Sequence, residues 1–185
     1  MHFPADSGAP EQISLRTLVS LHRHPDPGVR HFAGTASYRT RFILPAMKAG
    51  GEMRLYLDLG RVEVIAEVRL NGTVLATLWK PPFRHDVTDA VGSGENLLEV
   101  LVTSLWPNRL IGDEQLPSEK AFRAAGGIEA LPAWYRAGLP KPPGGRITFA
   151  TWKHFAKNSP LLESGLLGPV VLRQALRHPI IGTGH

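Results

Sequence analysis

Met53-Arg54-Leu55-Tyr56-Leu57-Asp58-Leu59-Gly60-Arg61-Val62-Glu63-Val64-Ile65-Ala66-Glu67-Val68-Arg69-Leu70-Asn71-Gly72 reads as strands ending in a turn. Met53, Leu55, Leu57 and Leu59 share one face, with Arg54, Tyr56 and Asp58 opposite. Val62, Val64, Ala66, Val68 and Leu70 repeat the pattern, with Glu63, Glu67 and Arg69 facing water. Strand side chains alternate between faces, so this period of two marks half-buried β-structure. Asn71-Gly72 suits the two positive-φ positions of a type I′ turn and predicts a hairpin, with Thr73 to Trp79 returning.

The same grammar extends outward. Tyr38, Phe42 and Leu44 place apolar groups on one face of an upstream strand. Downstream, Pro81-Pro82 is a break, Phe83, His85 and Val87 form a short strand, and Gly92-Ser93-Gly94-Glu95-Asn96 is a turn. Leu98, Val100 and Val102 then make one face of a strand whose other face carries Leu97 and Leu101, as a central strand should. Alternation stops over 105–145, a Pro- and Gly-rich insertion with one helical turn expected near Pro132–Ala137. Arg146 to His154, with Ile147 and Phe149 inward, and Gly168 to Leu172 are the last expected strands. Short strands, frequent turns and little helix predict an all-β, antiparallel β-sandwich of jelly-roll, galactose-binding-like type with one long irregular loop. The expected organisation is a partly ordered extension over 1–29, a sandwich over 30–176 and a tail over 177–185. The first dozen residues and the chain after Leu176 are expected to fray.

At 185 residues, 43% apolar and 20% charged, the chain is long enough for one globular domain with its own core. It has no cysteine, which excludes disulfides, thiolate metal sites and a cysteine nucleophile and leaves the compartment open. No apolar run approaches the roughly 18 residues of a membrane helix. Met1-His2-Phe3-Pro4-Ala5-Asp6 has neither a basic nor an apolar signal region, so no secretion signal is expected there. The net charge is +5, and residues 101–185 alone carry 10 basic and 5 acidic groups. No three basic residues are consecutive, so the charge reads as a solvated surface and no nucleic-acid or membrane partner is expected.

The run Tyr56 to Gly72, the sequel Leu78-Trp79-Lys80-Pro81-Pro82-Phe83-Arg84-His85-Asp86-Val87-Thr88, and Gly94-Glu95-Asn96 resemble the sugar-binding β-sandwich of glycoside hydrolase family 2. Trp106-Pro107-Asn108-Arg109-Leu110-Ile111-Gly112-Asp113-Glu114-Gln115-Leu116-Pro117 looks like a loop of bacterial α-L-rhamnosidase-like glycosidases. So do Thr151-Trp152-Lys153-His154-Phe155, Ser159-Pro160-Leu161-Leu162 and Ser164-Gly165-Leu166-Leu167-Gly168-Pro169. The resemblance spans roughly residues 30 to 175 and implies a domain that sits near the C-terminus of those enzymes, behind a barrel that carries the catalytic carboxylates. This chain has no such barrel. The resemblance therefore implies a non-catalytic carbohydrate-binding or accessory module, with a rhamnose- or galactose-containing glycan as ligand. The alternative is a structural domain that docks on a separate catalytic barrel.

Candidate ligand contacts lie in two stretches. Trp106 offers a ring for a sugar's C–H face, with Asn108, Arg109, Asp113 and Glu114 as planar donors and acceptors for hydroxyls. Trp152, Lys153 and His154 offer the same mixture, although on a strand Lys153 and His154 would point to opposite faces. Asp113-Glu114 is the obvious carboxylate pair, but glycosidic cleavage needs two carboxyls across one bond, about 5 to 10 Å apart, and neighbours in a loop usually diverge. No catalytic residue is assigned. No cofactor is expected, a calcium ion on carboxylate and carbonyl oxygens being the one metal considered. His22 and His24 are too few to close a zinc site. Gly126-Gly127 and Gly144-Gly145 lack the context of a phosphate loop, and there is no Gly-x-Ser-x-Gly elbow.

Overall fold

The computed structural model describes residues 1–45 and 53–177. Among these, nine strands form three antiparallel sheets. β1 (Gly34–Leu44), β7 (Gly94–Ser104), β4 (Ile65–Leu70) and β5 (Thr73–Leu78) make the largest, in the order β1-β7-β4-β5. β6 (Arg84–Asp86), β2 (Met53–Asp58) and β9 (Val171–Leu176) make the second, in the order β6-β2-β9. β3 (Arg61–Glu63) pairs with β8 (Gly165–Gly168). A 3-10 turn over Leu21–Arg23 and three short α-helices, α1 (Pro27–Arg30), α2 (Pro107–Asp113) and α3 (Ala133–Arg136), complete the inventory. This is the antiparallel sandwich that the alternation predicts.

The period-two residues become the core. Ala36 and Tyr38 of β1, Leu98, Val100 and Val102 of β7, and Ala66, Val68 and Leu70 of β4 are buried in one cluster with Leu55 and Leu57 of β2. Removing each such Leu or Val side chain from water contributes about 1.5–3 kcal/mol. β1 and β7 pair without a break from Gly34 opposite Ser104 to Leu44 opposite Gly94. β7 lies between β1 and β4, the central place its two-sided apolarity implies.

Polar turn residues lock the strands of the second sheet to one another. Asp58, at the end of β2, accepts from the Gly60 amide at 3.0 Å, Arg84 at 2.9 Å and Arg173 at 2.7 Å. The Gly60 amide, then Arg173 and Arg84, hold its carboxyl below the usual range against the opposing effect of burial. In the Asp86-Val87-Thr88 turn, Asp86 accepts from the Thr88 amide at 3.0 Å, and the Thr88 hydroxyl accepts from Leu55 N at 2.9 Å.

Four expectations are corrected. The apolar face from Val62 to Leu70 is not one strand: β3 pairs with β8 and β4 with β7, so the chain changes sheets at Val64. The first dozen residues do not fray. His2 N donates to Ser37 O at 2.8 Å, and buried Phe3 packs edge-to-face on Phe32 with ring centroids 4.8 Å apart. Arg146–His154 is not a strand. Its ladder contact is a single bridge, Trp152 opposite Gly127, because Asp113 captures the Ile147 and Thr148 amides. The strand expected over Gly168–Leu172 straddles a break between β8 and β9. The expected fraying after Leu176 concerns 178–185, outside the described residues.

Candidate functional site

The expected irregular loop begins with α2. Pro107 sits at its first turn, where a missing N–H costs nothing. Asn108, Arg109 and Asp113 of this helix are buried. Asn108 Nδ2 donates to Leu162 O and its Oδ1 accepts from Leu162 N, both at 2.8 Å. Arg109 and Asp113 pair one helical turn apart at 3.2 Å. Asp113 also accepts from Ile147 N at 3.0 Å, Thr148 N at 2.7 Å and the Thr148 hydroxyl at 2.6 Å. Burial pushes the Arg109 guanidinium down, and the Asp113 charge pulls it back up. These three side chains are thus turned inward, and α2 fastens later parts of the 105–164 connection, at 147–148 and 162, to its start.

The remaining candidates separate to the two ends of α2. Trp106, at the N-terminal end, is 57% exposed. Beside it lies an open cleft of about 250 Å³ lined by Leu105, Pro107, Leu162, Glu63 and Glu163, and the two glutamates share Arg61.

At the C-terminal end, Glu114 lines a second cleft with Lys120, Arg146, Thr148, Trp152 and His154. Its Oε1 accepts from Arg146 Nη1 at 2.6 Å, and Lys153 Nζ lies 4.0 Å from its Oε2. His154 lines this cleft, whereas Lys153 reaches it only at its edge, through Glu114. Lys120 Nζ donates to Ala150 O at 2.8 Å and lies 3.7 Å from the centroid of the Phe149 ring. Burial pushes its ammonium below the ordinary range, and the neighbouring charges of Arg146 and Lys141 add to this. The Nε of Arg146 is buried without a hydrogen-bond partner. The enclosed volume is about 10 Å³, space for one water, so any larger ligand lies on the surface of the cleft.

Trp152 forms that surface. The backbone of Gly126 and Gly127 backs its indole: a Cβ on Gly126 would come within 2.8 Å of Cε2, and one on Gly127 within 3.4 Å of Cζ3. Even so, Trp152 remains 49% exposed. The strand-like pairing of Lys153 N with Gly126 O at 2.9 Å and Ile128 N with Thr151 O at 3.0 Å fixes the ring on the glycines. Gly126-Gly127, read from the sequence only as a failed phosphate loop, is the backing of an aromatic platform. Lys120 and Arg146 escaped sequence reading because they meet Glu114 and Trp152 only through the fold of the connection.

A further aromatic group lies on the same connection. Trp134, Tyr135 and Phe149 meet with ring centroids 5.9 to 6.3 Å apart. Among the described residues no three His, Asp or Glu side chains come together as a metal site, and no helix is long and apolar enough to cross a membrane. His22 meets Ser20 Oγ at 2.7 Å, and His24 Nδ1 accepts from Asp26 N at 3.2 Å.

The comparisons agree with this architecture. A protein of Formosa agariphila named "Putative beta-glucuronidase" is 47% identical over 171 residues, which is 92% of this chain and 14% of that protein. The solved structure of a rhamnosidase from Novosphingobium sp. PP1Y superposes with a TM-score of 0.75 at 36% identity, covering 94% of this chain and 14% of the rhamnosidase. The chain thus spans about one seventh of the length of either relative. The family described as "Glycosyl hydrolase 2 galactose-binding domain-like" matches residues 28–131, from α1 through the strands of the large sheet and α2 into the connection. With more than half of its residues matched, the chain belongs to the glycosyl hydrolase 2 galactose-binding domain-like family.

Proposed function

We propose that this sandwich is a non-catalytic accessory module of a glycosidase and that it holds glycan on Trp152. The observation that carries the reading is the indole seated on Gly126-Gly127 with about half its surface open and with Glu114, Arg146, Lys153 and His154 around it. A sugar laid on the ring offers C–H groups to its face and hydroxyls to the polar rim. Asp113 and Glu114 do not act as a hydrolytic pair in this reading. Asp113 is bound to Arg109, Ile147 and Thr148, and Glu114 is bound to Arg146. The test is tryptophan fluorescence of the chain titrated with rhamnose- and galactose-containing oligosaccharides. Saturable change that disappears in Trp152→Ala is expected, and no change at tens of millimolar sugar would overturn the reading.

A second reading rests on a different observation. Leu105, Trp106, Leu131, Tyr135, Leu139 and Leu162, all on the 105–162 connection, leave large apolar surface in water. A surface of that kind suits docking against another domain of the same enzyme. The expected sign is protection of these residues from hydrogen exchange or oxidative labelling when the sandwich is part of a longer glycosidase chain. Equal labelling in both contexts would remove this reading.

A further inference from the structure

The rim of Trp152 carries a charge that the glycan reading does not require. Lys120, Lys141, Arg146 and Lys153 gather there. Arg146 and Lys141 lie close enough to Lys120 to depress its ammonium, the Lys141 ammonium donates to Arg146 O, and Lys153 approaches Glu114. Glu114 and Glu119 are the carboxylates among them, and Glu119 is also held by Trp134 Nε1 at 3.0 Å. Asp113 lines the same cleft but is neutralised by Arg109. Four cations thus face two carboxylates. Arg146 spends Nη1 on Glu114 and Nη2 on Leu116 O at 3.3 Å, which leaves its Nε as a buried donor without an acceptor. A neutral sugar needs none of this excess charge, whereas a sugar with an acid group is matched by it.

Resting on the glycan reading, we infer that the Trp152 platform selects anionic sugars, with the ring on the indole and a carboxylate or sulfate directed to the Lys120, Arg146 and Lys153 side. Lys153 is 51% exposed and supplies the mobile part of the recognition. Lys120 and Arg146 supply the fixed part.

The experiment compares three probes on the full chain by calorimetric titration: a trigalacturonate, the neutral galactotriose and a 6-sulfated galacto-oligosaccharide. The acidic probes are expected to bind about tenfold tighter than galactotriose in low salt, with the preference shrinking several-fold in 0.5 M NaCl as charges are screened. Preference for the trigalacturonate over the sulfated probe assigns the carboxylate, and the reverse assigns the sulfate. Lys153→Gln is expected to weaken the acidic probes several-fold more than it weakens galactotriose, and an equal loss for all three probes overturns the selection. Galactotriose binding as tightly as the acidic probes overturns the selection and leaves the glycan reading standing. Silence from all three overturns both.

Discussion

Asn71 Nδ2 donates to Asn96 Oδ1 at 2.9 Å, joining the hairpin tip between β4 and β5 to the start of β7. The same Asn96 oxygen accepts from Gly92 N at 2.8 Å, and its Nδ2 donates to Gly92 O at 2.8 Å and Gly94 O at 3.1 Å. In return Asn71 Oδ1 accepts from Leu97 N at 2.9 Å. Asn71 and Gly72 both have positive φ, 52° and 85°, the geometry of the type I′ turn. The Asn-Gly and Gly-x-Asn signals are therefore one hydrogen-bonded unit that sets the register of the central strand.

Asn96→Ala is expected to destabilise the fold by about 3 kcal/mol. Asn96 is only 1% exposed, and each of its four hydrogen bonds contributes about 0.5–1.5 kcal/mol net. The loss is subadditive because Gly92 and Gly94 can reach water. Urea unfolding should show a lower midpoint with an unchanged slope. A shift below 0.5 kcal/mol would show that the loop reorganises around the missing amide.

The strands were legible because sheet burial writes a period of two into the sequence, and Met53–Gly72 carries it twice. The change of sheets at Val64 was not legible, since Val62 and Ala66 are buried in either arrangement. The candidate site was legible by residue type but not by placement. Trp152 and Trp106 read alike as exposed rings, and only the fold sets one on Gly126-Gly127 and the other at the far end of α2. Asn108, Arg109 and Asp113 read as sugar contacts because planar polar groups serve equally well to tie buried backbone. Ile147 and Phe149 imitated a strand, yet they remain 39% and 43% exposed because no neighbouring strand lies against them.

Tyr38 gives the fold an alkaline limit. Its hydroxyl accepts from Leu166 N at 3.2 Å between β1 and β8, and burial pushes its pKa up to about 12. The folded state therefore holds this proton more tightly than the unfolded chain, whose tyrosines titrate near about 10. The resulting stabilisation is complete below about pH 10 and is lost as pH rises through the folded value. The absorbance at 295 nm of the wild type minus that of Tyr38→Phe should rise only near pH 12. A rise near pH 10 in the folded protein would show that the hydroxyl is open to water.

Asp113→Asn keeps the shape of the side chain and removes its charge, leaving Arg109 buried without a counter-ion. A broken buried pair costs about 3–5 kcal/mol. Because the carboxamide oxygen of the variant could still accept from one of the two amides, the lower end is expected. Hydrogen exchange should rise first at Ile147 and Thr148, whose amides Asp113 holds. Adding Arg109→Met should recover part of the stability while those two amides stay labile. If the double variant is no more stable than the single, the cost lies in the lost amide contacts and not in the orphaned charge.

Gly126→Ala separates the platform from the fold. Gly126 has φ 98°, which a side chain rarely adopts, and a Cβ would stand 2.8 Å from Trp152 Cε2. Two remedies exist: the backbone rotates, or the indole leaves its seat. Both lie on the surface of the connection and away from the clustered core of β1, β2, β4 and β7. The unfolding midpoint should therefore fall by no more than about 1–2 kcal/mol, the scale of local backbone strain. Glycan affinity should fall by roughly 0.5–1.5 kcal/mol, the scale of a stacking contact whose geometry is held. Trp152→Phe supplies the contrast, because a smaller ring on intact glycines keeps the platform flat. Affinity that survives Gly126→Ala but not Trp152→Phe would mean that the sugar reads the indole N–H or its width, and that the glycine seat is structural.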